Sequence, residues 1–149
     1  MSFSPYLGFP GTAREAMTAY QAIFGGDLQV VTWNDAPHGA APPGTDTGLV
    51  LHAELRVEGG PRLMAADTPE GTSVPSPGGA ATLYRAPDPD RARAVFDALS
   101  EGGEVVLPLG RTFWSDAFGM LADRWGQRWI VTLATPLQTE GEEAFAATS

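Results

Sequence analysis

The feature that most constrains this chain is a repeat. "FGGDLQVV" (24–31) and "EGGEVVLP" (101–108) each place a Gly-Gly pair, an acidic residue and a β-rich run after a helix-like stretch. Before the first, Ala13, Ala16, Met17, Tyr20, Ile23 and Phe24 recur at helical spacing, and Thr12 with Glu15 has the spacing of a capping box. Before the second, Asp88 is a favoured N-cap, and Pro89 stands at the first helical position, where its missing N–H costs nothing. Ala92, Val95, Phe96 and Leu99 then form the apolar stripe. Glycine ends both helices because a left-handed residue is needed there.

The likeness extends outward. "PYLGF" (5–9) and "ATLYRA" (81–86) precede the helices as short strands. "LQVVTW" (28–33), "LVLHAELRV" (49–57) and "RLMAA" (62–66) follow the first helix, while "EVVLPL" (104–109), "TFWSDAFGMLA" (112–122) and "RWIVTL" (128–133) follow the second. Each half reads strand, helix, strand, strand, strand, which predicts an internal duplication near residue 75. The expected fold is α+β. Two βαβββ modules, about 3–68 and 79–134, form a curved mixed sheet around a concave cavity, with the helices on its outer face. Residues 1–135 are expected to be a single domain and 136–149 an acidic flexible tail. Glycine and proline concentrate in 36–48 and 67–79, which read as loops.

Several function classes are excluded by content. There is no cysteine, so disulfides, zinc–thiolate sites, iron–sulfur clusters and cysteine nucleophiles are ruled out. The net charge is −9 with no basic run, which argues against nucleic acid as a partner. No apolar run approaches the ~18–20 residues of a membrane helix, and no signal-peptide pattern opens the chain. The expectation is a cytoplasmic protein without membrane contact. G-x-S-x-G, P-loop and H-E-x-x-H motifs are absent.

The ordered set "PYLGFPGTAREAMTAYQAIFGG" (5–26), "LHAEL" (51–55), "LMAAD" (63–67), "VFDALSEGGEVVLPLG" (95–110) and "FWSDAFGMLADRWGQRW" (113–129) resembles the vicinal oxygen chelate superfamily. That superfamily includes glyoxalase I, bleomycin-resistance proteins and extradiol dioxygenases, and the closer likeness is to its PhnB-like branch. The resemblance implies a homodimer and a site in the concave face. In metal-using members it also implies four His, Glu or Gln ligands, one each from the first and last strands of the two modules. Residues 3–9, 62–66 and 80–86 offer no such ligand. In the last strand Asp123 and Gly126 of the D-P-x-G signature are present, but Ile130 occupies the ligand position. The expectation is therefore no metal and no cofactor. The branch also carries the name of a 3-demethylubiquinone-9 3-methyltransferase domain, yet nothing here resembles a Gly-rich cradle for S-adenosylmethionine.

Alternation in "VLHAELRVEG" sets Leu51, Ala53, Leu55 and Val57 on one face and His52, Glu54 and Arg56 on the other. The polar set is either a solvated face with cross-strand charge pairs or the wall of a pocket, with His52 as an acid–base or hydrogen-bonding candidate, a role that imidazole side chains are suited to. His38 reads as an exposed loop residue. By parity Trp114, Asp116, Phe118 and Met120 share a face, and Trp129 packs the core opposite Ile130. Trp33, His52, Glu54, Arg111, Trp114 and Ile130 are the candidate ligand-binding residues, since Trp and Arg are favoured at pockets and interfaces alike. The function read from this set is metal-independent binding of a small molecule. The alternative is a divalent-metal-dependent lyase, isomerase or dioxygenase, which would need a ligand set from His52, Glu54, Asp67 or Asp116.

Overall fold

The computed structural model describes residues 2–69 and 79–133. The tail expected over 136–149, and most of the second loop, lie outside them. The chain divides into two compact units, 1–78 and 79–149.

The first unit contains β1 (Tyr6–Phe9), α1 (Ala13–Phe24), β2 (Asp27–Thr32), β3 (Val50–Arg56) and β4 (Arg62–Asp67). Its sheet has the order β1-β4-β3-β2, with β1 parallel to β4 and the other neighbours antiparallel. The second unit contains β5 (Thr82–Ala86), α2 (Pro89–Ser100), β6 (Glu104–Gly110), β7 (Phe118–Ala122) and β8 (Arg128–Leu133). Its order is β5-β8-β7-β6, with β5 parallel to β8 and the rest antiparallel. The expected duplication is thus present down to strand order and direction.

Each helix covers one face of its own sheet. Ala13, Ala16, Met17 and Tyr20 of α1 are buried, as are Ala53, Leu55, Leu63 and Ala65 of the strands. In the second unit Ala92, Val95, Phe96 and Leu99 are buried with Leu121, Trp129 and Val131. Trp129 packs the core as its parity predicts. Its indole N–H also donates to Asp123 Oδ2 at 3.0 Å, while Asp123 Oδ1 accepts from the Trp125 and Gln127 N–H groups. The surviving Asp123 and Gly126 (φ 82°) therefore build the β7–β8 turn.

The Gly pairs share two features in both units, although Gly26 (φ 97°) is left-handed as well and Gly103 is not. The first glycine takes a left-handed φ, 72° at Gly25 and 73° at Gly102. The second leaves no room for a side chain: a Cβ at Gly26 would lie 2.2 Å from the Arg56 carbonyl, and one at Gly103 2.2 Å from the Ala122 carbonyl.

Four local expectations are corrected. The Thr12–Glu15 capping box does not form, because Thr12 (φ −109°, ψ 11°) is not extended and makes no side-chain cap. Asp67 replaces it, accepting the Ala13 N–H at 2.9 Å and the Val50 N–H at 2.8 Å. Asp67 is accordingly the last residue of β4, where the sequence suggests the start of a loop. Asp88 does cap α2, taking the Arg91 N–H at 2.8 Å.

The strand expected over 112–122 begins only at Phe118. Thr112 Oγ1 accepts the Ser115 N–H, and buried Ser115 Oγ donates to the Ala117 carbonyl, so side chains hold 112–117 as a loop in competition with a ladder. Finally, the β2–β3 register shifts between Val31, opposite His52, and Thr32, opposite Val50. Leu51 is the extra residue of this bulge. Val50 joins Ala53 and Leu55 among the buried side chains, whereas Leu51 is half-buried and lines a cavity.

Candidate functional site

The faces turned away from the helices carry matching rows of side chains. The last paired residues of the parallel seams are Phe9–Asp67 and Ala86–Leu133. Counting back equally from both gives the pairs Tyr6–Met64 and Leu83–Ile130 as equivalents. Extending each pair across its sheet gives Tyr6–Met64–Glu54–Gln29 in the first unit and Leu83–Ile130–Met120–Leu107 in the second.

The second-unit row is wholly apolar and accessible. Leu83 is 47% and Leu107 40% exposed, and Ile130 and Met120 are half-buried. The first-unit row is polar except at Met64. The Tyr6 hydroxyl reaches across β4 to His52 Nδ1 at 3.1 Å, with ring centroids 5.7 Å apart. When Tyr6 donates to Nδ1, the ring proton sits on Nε2, so His52 offers a donor to whatever lies on this face. Glu54 Oε1 accepts from Arg56 Nε and lies 3.4 Å from Arg62 Nη1. The Arg56 hydrogen bond, opposed by desolvation and aided by the charges of Arg56, Arg62 and His52, holds the Glu54 carboxyl below its ordinary value. Tyr6 was not among the sequence candidates. Its signal is its place in the first strand, but the link to His52 needs the strand order, which puts only β4 between them.

The other candidates lie elsewhere. Trp33 opens a 3-10 turn (Trp33–Asp35), and Asp35 caps that turn by accepting the Thr32 N–H and hydroxyl at 2.8 and 2.9 Å. Those bonds, the backbone one foremost, hold the Asp35 carboxyl below its ordinary value. Trp33 lines a cavity of about 310 Å³ with Leu51 and Asp67. Arg111 pairs with Asp116 at 3.2 Å on the surface of the 111–117 loop. Trp114 is 46% exposed and sits edge-on to Phe113 (4.6 Å) and Phe118 (5.3 Å). The structure thus joins His52 with Glu54 on one strand face, and Arg111 and Trp114 on one loop. Ile130 stands in the apolar row, Trp33 in the cavity and His38 on the surface.

The donor set does not fit the metal that the resemblance implies. The seam positions carry a phenol, a thioether and two alkyl side chains, none of them His, Glu or Gln. Of the residues an alternative set would need, Glu54 is held by Arg56, Asp67 by two backbone N–H groups and Asp116 by Arg111. Among the described residues no three His, Cys, Asp or Glu side chains come together as a metal site.

Two βαβββ units of identical topology, each with its helix on one face and a row of side chains on the other, define a paired-module α+β protein. The chain belongs to the Glyoxalase/Bleomycin resistance protein/Dioxygenase superfamily, whose sequence profile it matches over residues 7–131. It is 27% identical to Protein YjdN of Escherichia coli (strain K12), across 94% of this chain and 100% of that one. Protein PA1353 from Pseudomonas aeruginosa has a similar crystal structure, with TM-score 0.81 and 34% identity over 89% of this chain and 97% of that one. The PhnB protein from Bacillus cereus matches with TM-score 0.69 and 26% identity over 90% and 100% of the two chains. These relatives agree with the likeness to the PhnB-like branch.

Proposed function

We propose that this chain binds a small, largely apolar organic molecule without a metal ion or cofactor. The observation that carries the reading is the row Leu83–Ile130–Met120–Leu107, an accessible apolar strip whose Leu83 and Ile130 stand on the two strands of this unit from which the resemblance implies metal ligands. The proposal includes a single domain over 1–135, a homodimer and a cytoplasmic setting. The last suits a chain without cysteine.

Elemental analysis of protein purified without chelator, combined with tryptophan quenching by a panel of aromatic and aliphatic compounds, tests this reading. Metal is expected to be far below one equivalent, and quenching to persist in chelator. Ile130→Lys is expected to weaken every ligand by about tenfold or more, since it puts a charge into an apolar contact. A stoichiometric transition metal whose removal abolishes binding would overturn the proposal in favour of a metal-dependent enzyme.

A further inference from the structure

The cavity beside Trp33 belongs to neither strand row. It is built within the first unit from the 3-10 turn, the 42–49 loop, the β3 bulge and the end of β4. Trp33, Pro42, Leu49 and Leu51 line it with one aromatic and several aliphatic surfaces, and Asp46 and Asp67 add two carboxylates. Among the described residues, no Lys, Arg or His lines it. Asp46 Oδ1 accepts the Gly48 N–H at 2.9 Å, while the residue itself is exposed and keeps a carboxylate edge toward solvent. Asp67 is held rigidly by its two backbone donors.

A volume of about 310 Å³ suits a compact organic molecule. Two carboxylates, with no cation among the described lining residues, disfavour an anion by like-charge repulsion and favour a positive ligand. The indole acts in the same sense, because the face of an aromatic ring attracts cations. The chain's −9 charge adds a long-range field of the same sign. A bare metal ion is a poor match, since proline, leucine and tryptophan side chains offer it no donors.

We propose that this cavity is a second binding site, selective for a small organic cation: an ammonium or quaternary ammonium group on an apolar body. The head group lies against Trp33 and the carboxylates, and the apolar body against Pro42, Leu49 and Leu51.

Amide chemical-shift mapping on the full chain, with benzyltrimethylammonium as probe and neopentylbenzene as its neutral isostere, tests this. The cation is expected to shift the Trp33 indole N–H and amides within 42–51, and to bind about tenfold or more tighter than the isostere. Asp46→Asn still accepts the Gly48 N–H, so the turn survives, and it is expected to weaken the cation several-fold; Trp33→Leu abolishes its binding. Added salt weakens the cation and not the isostere. Equal binding of the two probes, shifts confined to other residues, or an unchanged affinity in Asp46→Asn each overturn the site. Ile130→Lys leaves cation binding here intact, so failure of this site and failure of the apolar row are read separately.

Discussion

Asp67 shows how much one side chain can decide. Its two carboxylate oxygens tie the N-terminus of α1 to the β3 bulge, joining Ala13 and Val50 across 54 and 17 residues of sequence. Thr12, the residue whose type and position suggest the cap, makes no such bond. Asp67→Ala strips two backbone N–H groups of their acceptor and is expected to cost about 2–4 kcal/mol by denaturant unfolding. Thr12→Ala is expected to stay within about 0.5 kcal/mol. Equal losses in the two variants would return the cap to Thr12. No local pattern in "LMAAD" announces the role of Asp67, because its partners are brought to it only by the β1–β4 and β3–β4 pairings. At Asp88, by contrast, donor and acceptor are three residues apart, and the cap is legible from sequence alone.

At the scale of the element, the repeated Gly-Gly is the clearest link between sequence and packing. One glycine supplies a left-handed φ, and the next lets the strand pass against the carbonyl of Arg56 or Ala122. Gly103→Ala forces a Cβ to within 2.2 Å of backbone and is expected to destabilise by about 1–3 kcal/mol or more. Gly110→Ala, whose Cβ would meet nothing nearer than 3.9 Å, is expected to stay within about 0.5 kcal/mol in the same thermal melts. A neutral Gly103→Ala would mean that the close approach is not required. Two strands were less legible. β7 loses its first residues to hydroxyl–backbone bonds at Thr112 and Ser115, and β3 gains a bulge at Leu51, because register and side-chain competition break simple alternation.

At the scale of the whole molecule, the chain carries 18 acidic and 9 basic residues, so its response to acid is set by which carboxylates the fold stabilises. Asp35 and Glu54 are both held below their ordinary values, Asp35 first by the Thr32 N–H and Glu54 first by Arg56. With folded-state pKa values below those of the unfolded chain, the unfolded state binds more protons in the window between them. The contribution is therefore complete above the unfolded values and is lost as pH falls from about 4 through the lower folded values. Thermal melts are expected to show stability falling over that window. An Asp35→Asn, Glu54→Gln double variant is expected to be less stable at neutral pH and to show a shallower acid slope; an unchanged slope would remove both residues from the account.

The sequence by itself determined the duplicated strand–helix–strand–strand–strand order, both helices and their buried stripes, the Gly-Gly terminators and the family. These depend on periodicity, turn chemistry and residue type, which are local properties of the chain. Only the tertiary structure decided that Asp67 caps α1, that Leu51 turns out of alternation toward a cavity, that Tyr6 meets His52, and that Leu83, Ile130, Met120 and Leu107 stand in one row. Those facts depend on strand register, which arises between segments distant in sequence and is set by pairing partners that no single segment contains.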